Sequence, residues 1–411
     1  MNSINKIKNG CIAVIALLVL FTSCNKVYTD PTPIVPPANP SGNTLAQTLA
    51  ATASDSLYYR MVVKSGVLTA TPATITDPNL RFTMFVPDNN AMKAFITAAS
   101  GGLVPPGAPD AAFSGFITNN LPLANAVGIV MYNIVPQSLT TASFLTPSYT
   151  SGVVTPNLQY PTILNPAPTL SALLRLTTFP SKKSPVAYVN NVPLAATDAA
   201  AANGVIHHTA AVVLPPSASL WGRISTDPDM TYFKAAIMRA DNGTPTLQGA
   251  LDNIGANLTV FVPTDSAMRA AVTGLIAQGL IAQGVPPATA LAQAGALAAT
   301  PGVFTNPALA AVITPTVVQG LAVYHILGTR VFTVNLPATA SQSFTLLNSA
   351  IPLHPGVLLQ ATFTGPVVGA ATVKGAANAT ASNFIINPLS SSDQNATNGV
   401  LHKIDQVLLP Q

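Results

Sequence analysis

The chain has 411 residues, of which 49% are hydrophobic and only 7% are charged, and its formal net charge is +4. Because Lys6 and Lys8 supply part of that charge at the N-terminus, the remainder is nearly neutral and has no basic patch of the kind that phosphate binding requires. The composition therefore argues against nucleic acid as a partner. A surface made mainly of uncharged polar side chains favours an interaction protein.

The first 23 residues predict an export signal. Two lysines precede an apolar run at 13–21, which has the length of a signal-peptide core and is too short to span a bilayer. The run ends in LFTSC at 20–24, which resembles the bacterial lipobox except that Phe21 replaces the usual Leu. We predict a lipoprotein-type signal at 1–23 with Cys24 as the lipidated residue; the alternative is an ordinary signal peptide and a chance cysteine.

The segment after the signal predicts a tether. Residues 24–43 are rich in Pro, Asn, Ser and Gly, a composition that favours extended chain and buries little apolar surface. The other cysteine, Cys11, lies inside the signal, so the mature chain would contain no intramolecular disulfide. We expect a protein that its lipid anchors in the cell envelope, at the outer membrane, on the periplasmic or the outer side.

Two copies of one pattern fill the remainder of the chain. FVPDNNAM at 85–92 returns as FVPTDSAM at 261–268, and NGVIHHTAAVVLP at 203–215 returns as NGVLHKIDQVLLP at 398–410. A repeat this long predicts a duplicated globular domain, with boundaries at 44–217 and 218–411. The offset between the copies grows from 176 to 195 residues, and the Ala-rich stretch 274–300 predicts an elaborated loop with helical turns.

The local pattern within each copy is strand, proline, cap, helix. Runs rich in β-branched and aromatic residues end at Pro87 and Pro263, and Asp88 or Thr264 then provides a helix N-cap. The closing segments begin with an Asn-Gly turn, which tolerates positive φ, and continue as strands. Helical patterns precede strand patterns in each copy, which predicts an α+β fold and not a wound βαβ sheet.

These segments carry a family resemblance. FVPTDSAM, LAVYHIL at 321–327 and NGVLHKIDQVLLP look like the three ordered segments of the fasciclin domain, and the first copy offers FVPDNNAM, IVMYNIV at 129–135 and NGVIHHTAAVVLP. The resemblance covers residues 44–411. It implies two tandem domains, each a β-wedge flanked by helices, in an extracellular or surface setting with roles in adhesion or matrix contact.

The resemblance implies a candidate interaction site in the second copy. Tyr324 and His325 form its Tyr-His pair, and Asp405 follows in the closing segment; the first copy has Asn133 and Ala210 instead of His325 and Asp405. The alternative is that Tyr324 and His325 are core residues, since an apolar run surrounds them. His207 and His402 follow identical Asn-Gly-Val turns, which favours a packing role.

No catalytic motif was found in the sequence, so we expect no enzyme and no cofactor. His207 and His208 are adjacent and would point to opposite faces of a strand, which argues against a metal site. Ser56 and Ser266 lie in Asp-Ser-apolar triplets similar to an O-glycosylation pattern of some Bacteroidetes, although at Ser266 the preceding Asp265 is also explained as a helix N-terminal acid.

Two functions remain open. The first is an anchored adhesion or interaction lipoprotein that binds a protein, matrix or cell-surface partner through both domains. The second is an accessory glycan-binding lipoprotein of a polysaccharide-uptake system, which would need aromatic platforms for sugar rings. Trp221, the single tryptophan, lies near the domain junction and is the one candidate platform.

Overall fold

The computed structural model describes residues 42–69, 75–150, 152–154, 158–386 and 391–410. The predicted signal peptide, Cys24 and nearly all of the predicted tether lie outside these described residues. From Ser41 onward the chain forms one compact unit, which contains both sequence copies. We name the copies module 1 (residues 44–217) and module 2 (residues 218–411).

Module 1 places most of its helices before its strands. The helices are α1 (Leu45–Ala51), α2 (Ser56–Ser65), α3 (Asn89–Ala99), α4 (Asp110–Asn119) and α5 (Leu123–Tyr132). The strands are β1 (Phe82–Pro87), β2 (Ile134–Val135), β3 (Tyr149–Thr150), β4 (Val153–Val154), β5 (Tyr160–Pro161), β6 (Thr177–Thr178), β7 (Pro180–Lys183), β8 (Val186–Val189), β9 (Val192–Ala201) and β10 (Gly204–Thr209).

The FVP strand and the closing strand lie side by side in module 1. β1 pairs in parallel with β10, and the six-stranded sheet has the order β2-β1-β10-β9-β8-β7. β3 with β4, and β5 with β6, form two separate short ribbons. As the sequence predicts, the Asp88 side chain caps α3 by accepting a hydrogen bond from the Ala91 N–H at 2.8 Å.

Module 2 repeats this order, with a longer helix after its FVP strand. Its helices are α6 (Leu220–Thr226), α7 (Thr231–Asp241), α8 (Thr246–Asp252), α9 (Asp265–Ala282), α10 (Pro287–Leu297) and α11 (Pro315–Tyr324). Its strands are β11 (Leu258–Pro263), β12 (Ile326–Leu327), β13 (Ser341–Ser343), β14 (Val357–Thr364), β15 (Val367–Gly375), β16 (Ser382–Asn383), β17 (Gln394–Ala396) and β18 (Gly399–Ile404).

The strands of module 2 form two four-stranded sheets. One has the order β12-β11-β18-β17 and again contains a parallel pair, β11 with β18. The other has the order β13-β14-β15-β16, all antiparallel. Both modules therefore mix helices with largely antiparallel sheets, which confirms the predicted α+β class and the tandem repeat.

One local prediction needs correction. The sequence pattern predicts a loop with helical turns at 274–300, whereas α9 continues to Ala282 and α10 follows, because a run of Ala, Leu and Gln has high helix propensity. In the Asn-Gly turns, glycine is required by close approach of the backbone: a Cβ on Gly399 would lie 2.4 Å from the Leu258 carbonyl oxygen, and one on Gly204 1.9 Å from that of Phe82.

Each module has its own hydrophobic core. Leu45, Tyr58 and Phe113 belong to the module 1 core, and Leu220, Phe233 and Leu401 belong to the module 2 core. A smaller cluster joins the modules and combines Phe179 and Tyr188 with Phe332, Val334 and Val400. Within the described ranges, none of the helices combines the length and apolarity needed to cross a membrane.

Candidate functional site

Tyr324 and His325 are both 0% exposed in module 2. The Tyr324 hydroxyl donates to the Gly356 carbonyl oxygen and accepts from the Ala376 N–H at 2.9 Å. His325 caps α11: its Nδ1 lies 2.8 Å from the Leu321 carbonyl oxygen, and its Nε2 accepts from the Leu408 N–H at 3.0 Å. Neither side chain offers surface to a partner in this structure, and both tie α11 to segments that flank later strands.

Burial sets the protonation state of His325. Desolvation lowers the pKa of the imidazole to about 4, while its hydrogen bond with the Leu321 carbonyl raises it in part. Because Nε2 accepts from the Leu408 N–H, the imidazole is neutral and Nδ1 carries the donated hydrogen. Its edge packs against the Phe233 ring, with centroids 5.8 Å apart.

The other predicted site residues lie on the surface. Asp405 is exposed, and its carboxylate accepts from the Ser382 hydroxyl and from the backbone N–H and amide of Asn383. Ser56 and Ser266 are exposed at the starts of α2 and α9. The structure brings none of these three together with Tyr324 and His325 through a hydrogen bond or salt bridge among the described residues.

His207 and His402 make the same contacts in the two modules. Nε2 of His207 lies 2.8 Å from the Leu139 carbonyl oxygen, and Nε2 of His402 lies 2.9 Å from that of Val331. In each case Nδ1 accepts a backbone N–H nine residues earlier, from Asp198 or Asp393, at 3.2 Å. Burial lowers the pKa of both rings, and the positions are packing positions, as predicted.

His208 points to the opposite face of β10 from His207. Its Nε2 lies 3.1 Å from Asp55 Oδ2, and this hydrogen bond raises the pKa of the His208 ring. In the described part of the chain, no group of three or more His, Cys, Asp or Glu side chains is placed to hold a metal ion. The two adjacent histidines therefore support different parts of module 1.

The junction between the modules holds polar contacts that the sequence reasoning missed. The Asn335 amide donates to Ser181 Oγ at 2.8 Å, the Tyr188 hydroxyl donates to the Pro366 carbonyl at 2.9 Å, and Lys183 Nζ donates to the Leu336 carbonyl at 2.9 Å. Directional hydrogen bonds of this kind favour one arrangement of the two modules.

Arg330 is the charged centre of this junction. It is 2% exposed, and its guanidinium donates to the side-chain oxygens of Asn257 and Asn395 and lies 4.4 Å from the Phe179 ring centroid of module 1. Burial lowers its pKa to about 10, so it stays charged at neutral pH. The sequence held one signal: Arg330 is the single charged residue between Arg269 and Lys374.

A crevice lies along the junction and is lined by residues of both modules. One part, of about 370 Å³, includes Asn191, Ser392 and Asp393, and a second part, of about 390 Å³, includes Asn191, Asp393 and Arg223. Ser392 Oγ and Arg223 Nε are buried and have no hydrogen-bond partner among the described residues. Both atoms belong to residues that line the crevice.

A second concave feature, the module 2 groove, lies between α9 and α11. Its volume is about 550 Å³, and the turn at 346–354 and the closing segment 407–410 complete its walls. Module 1 has a depression in the same place between α3 and α5, closed by Leu214 and Pro215. Sequence reasoning missed both, although Gly128 and Gly320, which stand inside helices at matching positions, were a signal.

The fold and these sites define a two-module α+β protein that carries concave surfaces and a fixed junction. No protein-family model and no curated protein matches the sequence. Among solved structures, the chain is similar to a FAS1 domain pair from the insect cell adhesion molecule Fasciclin I, with 13% identity and a TM-score of 0.32. The similarity covers 87% of this chain and 97% of that chain.

Proposed function

We propose that the protein is a lipoprotein of the cell envelope that binds a protein, matrix or cell-surface partner through two fasciclin-like modules. The observation that carries this proposal is the junction. Buried contacts from Phe179, Ser181 and Tyr188 hold the modules in one arrangement, so that surfaces on both are presented together. A partner that contacts both modules binds with avidity, because its second contact forms within a complex that the first contact has already made.

An adhesion assay tests the binding role. Beads coated with residues 44–411 should retain cells or matrix, and beads coated at equal density with either module alone should retain far fewer. Retention that is equal for one module and for the pair would contradict the role of the junction. No retention by any of the three preparations would contradict the adhesion function itself.

The anchor is tested separately. Cys24→Ser should move the protein from the membrane fraction to the soluble fraction, because acyl chains on Cys24 hold it there. Cys11→Ser is the matched control, since Cys11 lies within the predicted signal and should leave membrane association unchanged. Membrane association that survives Cys24→Ser would overturn the lipoprotein assignment.

The glycan-binding alternative draws on the junction crevice. Ser392, Arg223 and Asn191 line the crevice, and polar residues of this kind supply the hydrogen-bonding capacity that sugar hydroxyls require. Trp221 is not a free platform, because it packs against the module 2 core. Calorimetric titration with neutral oligosaccharides tests this alternative: binding that Ser392→Ala weakens would favour it, and no binding would remove it.

A further inference from the structure

The module 2 groove has a distinctive chemistry. Its walls are aliphatic, and the side chains at its edge are well exposed: Leu275 by 43%, Val317 by 55%, Ile351 by 50% and Leu409 by 41%. Single exposed aliphatic residues are common, but several around one concavity mark a binding surface. A volume of about 550 Å³ is that of a small-molecule site.

Gly320 keeps the groove open. It stands in the interior of α11, where glycine is less favourable than alanine because it has lower helix propensity. No atom lies within 4 Å of the position that its Cβ would occupy, so a side chain there would enter empty space. The helix therefore tolerates an unfavourable residue at the point where a side chain would fill the groove.

The corresponding depression in module 1 differs in chemistry. Asn125 stands where module 2 has Val317, and Ser100, Asn120 and Ser217 add further polar groups to its lining. The Cβ position of its Gly128 is less open, since a Cβ there would lie 3.8 Å from the Pro215 side chain, in ordinary van der Waals contact. The more aliphatic form of the groove is thus a property of module 2.

The lining restricts what module 2 can bind there. No Asp, Glu, Lys or Arg occurs between Arg269 and Arg330, and no Phe, Tyr or Trp lines the groove. Both ring nitrogens of His354 are engaged, Nδ1 by the Gly356 N–H and Nε2 at 3.0 Å from the Pro410 carbonyl oxygen. The groove offers neither a counter-ion for a charged ligand nor an aromatic face for a sugar or a flat ring.

We propose that the module 2 groove binds the alkyl chain of a monomeric amphiphile whose head group is uncharged. The chain lies over Gly320 between α9 and α11, and the head group remains at the mouth, where Thr316 is exposed. Burial of the chain supplies the binding free energy, because each methylene removed from water makes a favourable contribution. This activity goes beyond adhesion and does not depend on it.

Calorimetric titration of residues 44–411 with 1-decanol and with decanoate, both below their aggregation concentrations, tests the proposal. We expect saturable binding of one 1-decanol per chain, and decanoate binding that is no tighter because no cation lines the groove. Gly320→Leu should weaken 1-decanol binding at least tenfold. Gly295→Leu is the matched control: Gly295 lies inside α10, outside the groove, with an equally open Cβ position, and its replacement should leave binding unchanged.

Val317→Asn provides a second variant that copies the module 1 residue at an exposed position, and it should weaken binding several-fold while the protein stays folded. The absence of saturable binding, or equal binding by wild type and Gly320→Leu, would overturn the proposal. A wild-type dimer that Gly320→Leu converts to a monomer would also overturn it, because the occupant would then be a second copy of the chain. The readout uses purified protein, so it is independent of the adhesion assay.

Discussion

At the scale of residues, the polar side chains that repeat between the modules mostly form hydrogen bonds inside the protein. Thr83 and Thr259 each donate a hydroxyl to a carbonyl beyond the next strand and accept an N–H from the same loop. Asn203 and Asn398 each accept the first N–H of a module's opening helix. Repetition of these residues follows from the need to satisfy buried backbone groups and does not by itself mark a binding site.

The fold does not require the hydroxyl group of Tyr58. This hydroxyl has no hydrogen-bond partner within the described ranges, burial raises its pKa, and module 2 has Phe233 at the matching position. We expect Tyr58→Phe to leave the free energy of unfolding unchanged or to raise it by up to ~1 kcal/mol, measured by urea denaturation. Tyr132→Phe is the contrast: its hydroxyl donates to the Thr177 carbonyl, and its loss should destabilise by ~1–3 kcal/mol.

His325 should make stability depend on pH. Its folded pKa of about 4 lies below the ordinary value of 6.5, so the unfolded chain binds the proton first and stability falls as pH falls from about 6.5 to about 4. This difference corresponds to roughly 3 kcal/mol. His325→Asn, which copies Asn133, should flatten that part of the curve of unfolding free energy against pH. His207 and His402 contribute in the same direction and remain in the variant.

A His325→Asn variant that keeps the full acid sensitivity of the wild type would show that His325 is not buried and neutral. His208 provides an internal comparison of opposite sign. The Asp55 hydrogen bond raises its pKa, so its stabilising effect is present at low pH and is lost as pH rises through the folded pKa.

At the scale of elements, the parallel contact of the FVP strand with the closing strand defines each module. β1 with β10, and β11 with β18, are joined over six aligned residue pairs each. In chain order, β10 and β18 are the last strands of their modules, so each contact joins segments that are far apart in the sequence. Such a contact between distant segments makes the glycine at the start of each closing strand a critical residue.

We expect Gly399→Ala to destabilise the protein by about 1–3 kcal/mol or more, because its Cβ would meet the Leu258 carbonyl oxygen and the Leu220 side chain. Gly279→Ala is the matched control inside α9, where nothing lies within 4 Å of the added Cβ. It should stabilise by about 0.5–1 kcal/mol through helix propensity. Thermal melts of both variants test this prediction. Equal melting temperatures would show that a Cβ at position 399 does not clash with the Leu258 carbonyl oxygen.

At the scale of the whole molecule, the modules have separate cores and a shared junction. Residues 44–217 and 220–411 contain complete cores, so each fragment should fold and unfold cooperatively when expressed alone. Each should be less stable than it is in the intact chain, because Phe179 and Phe332 lose their mutual contact. Calorimetry of the fragments and the pair measures this, and a molten second fragment would mean that the modules depend on one another to fold.

The sequence by itself determined the duplication, the α+β class, the caps at Asp88 and Thr264 and the closing strands, because these features depend on residues that are close in the chain. Tertiary structure alone decided the burial of His325, the position of Arg330 and the groove over Gly320. These depend on segments that are distant in the chain: the Tyr132 hydroxyl, for example, accepts a hydrogen bond from Asn395, which lies 263 residues away. A local pattern specifies the faces of an element, and only the packing of all elements specifies what those faces contact.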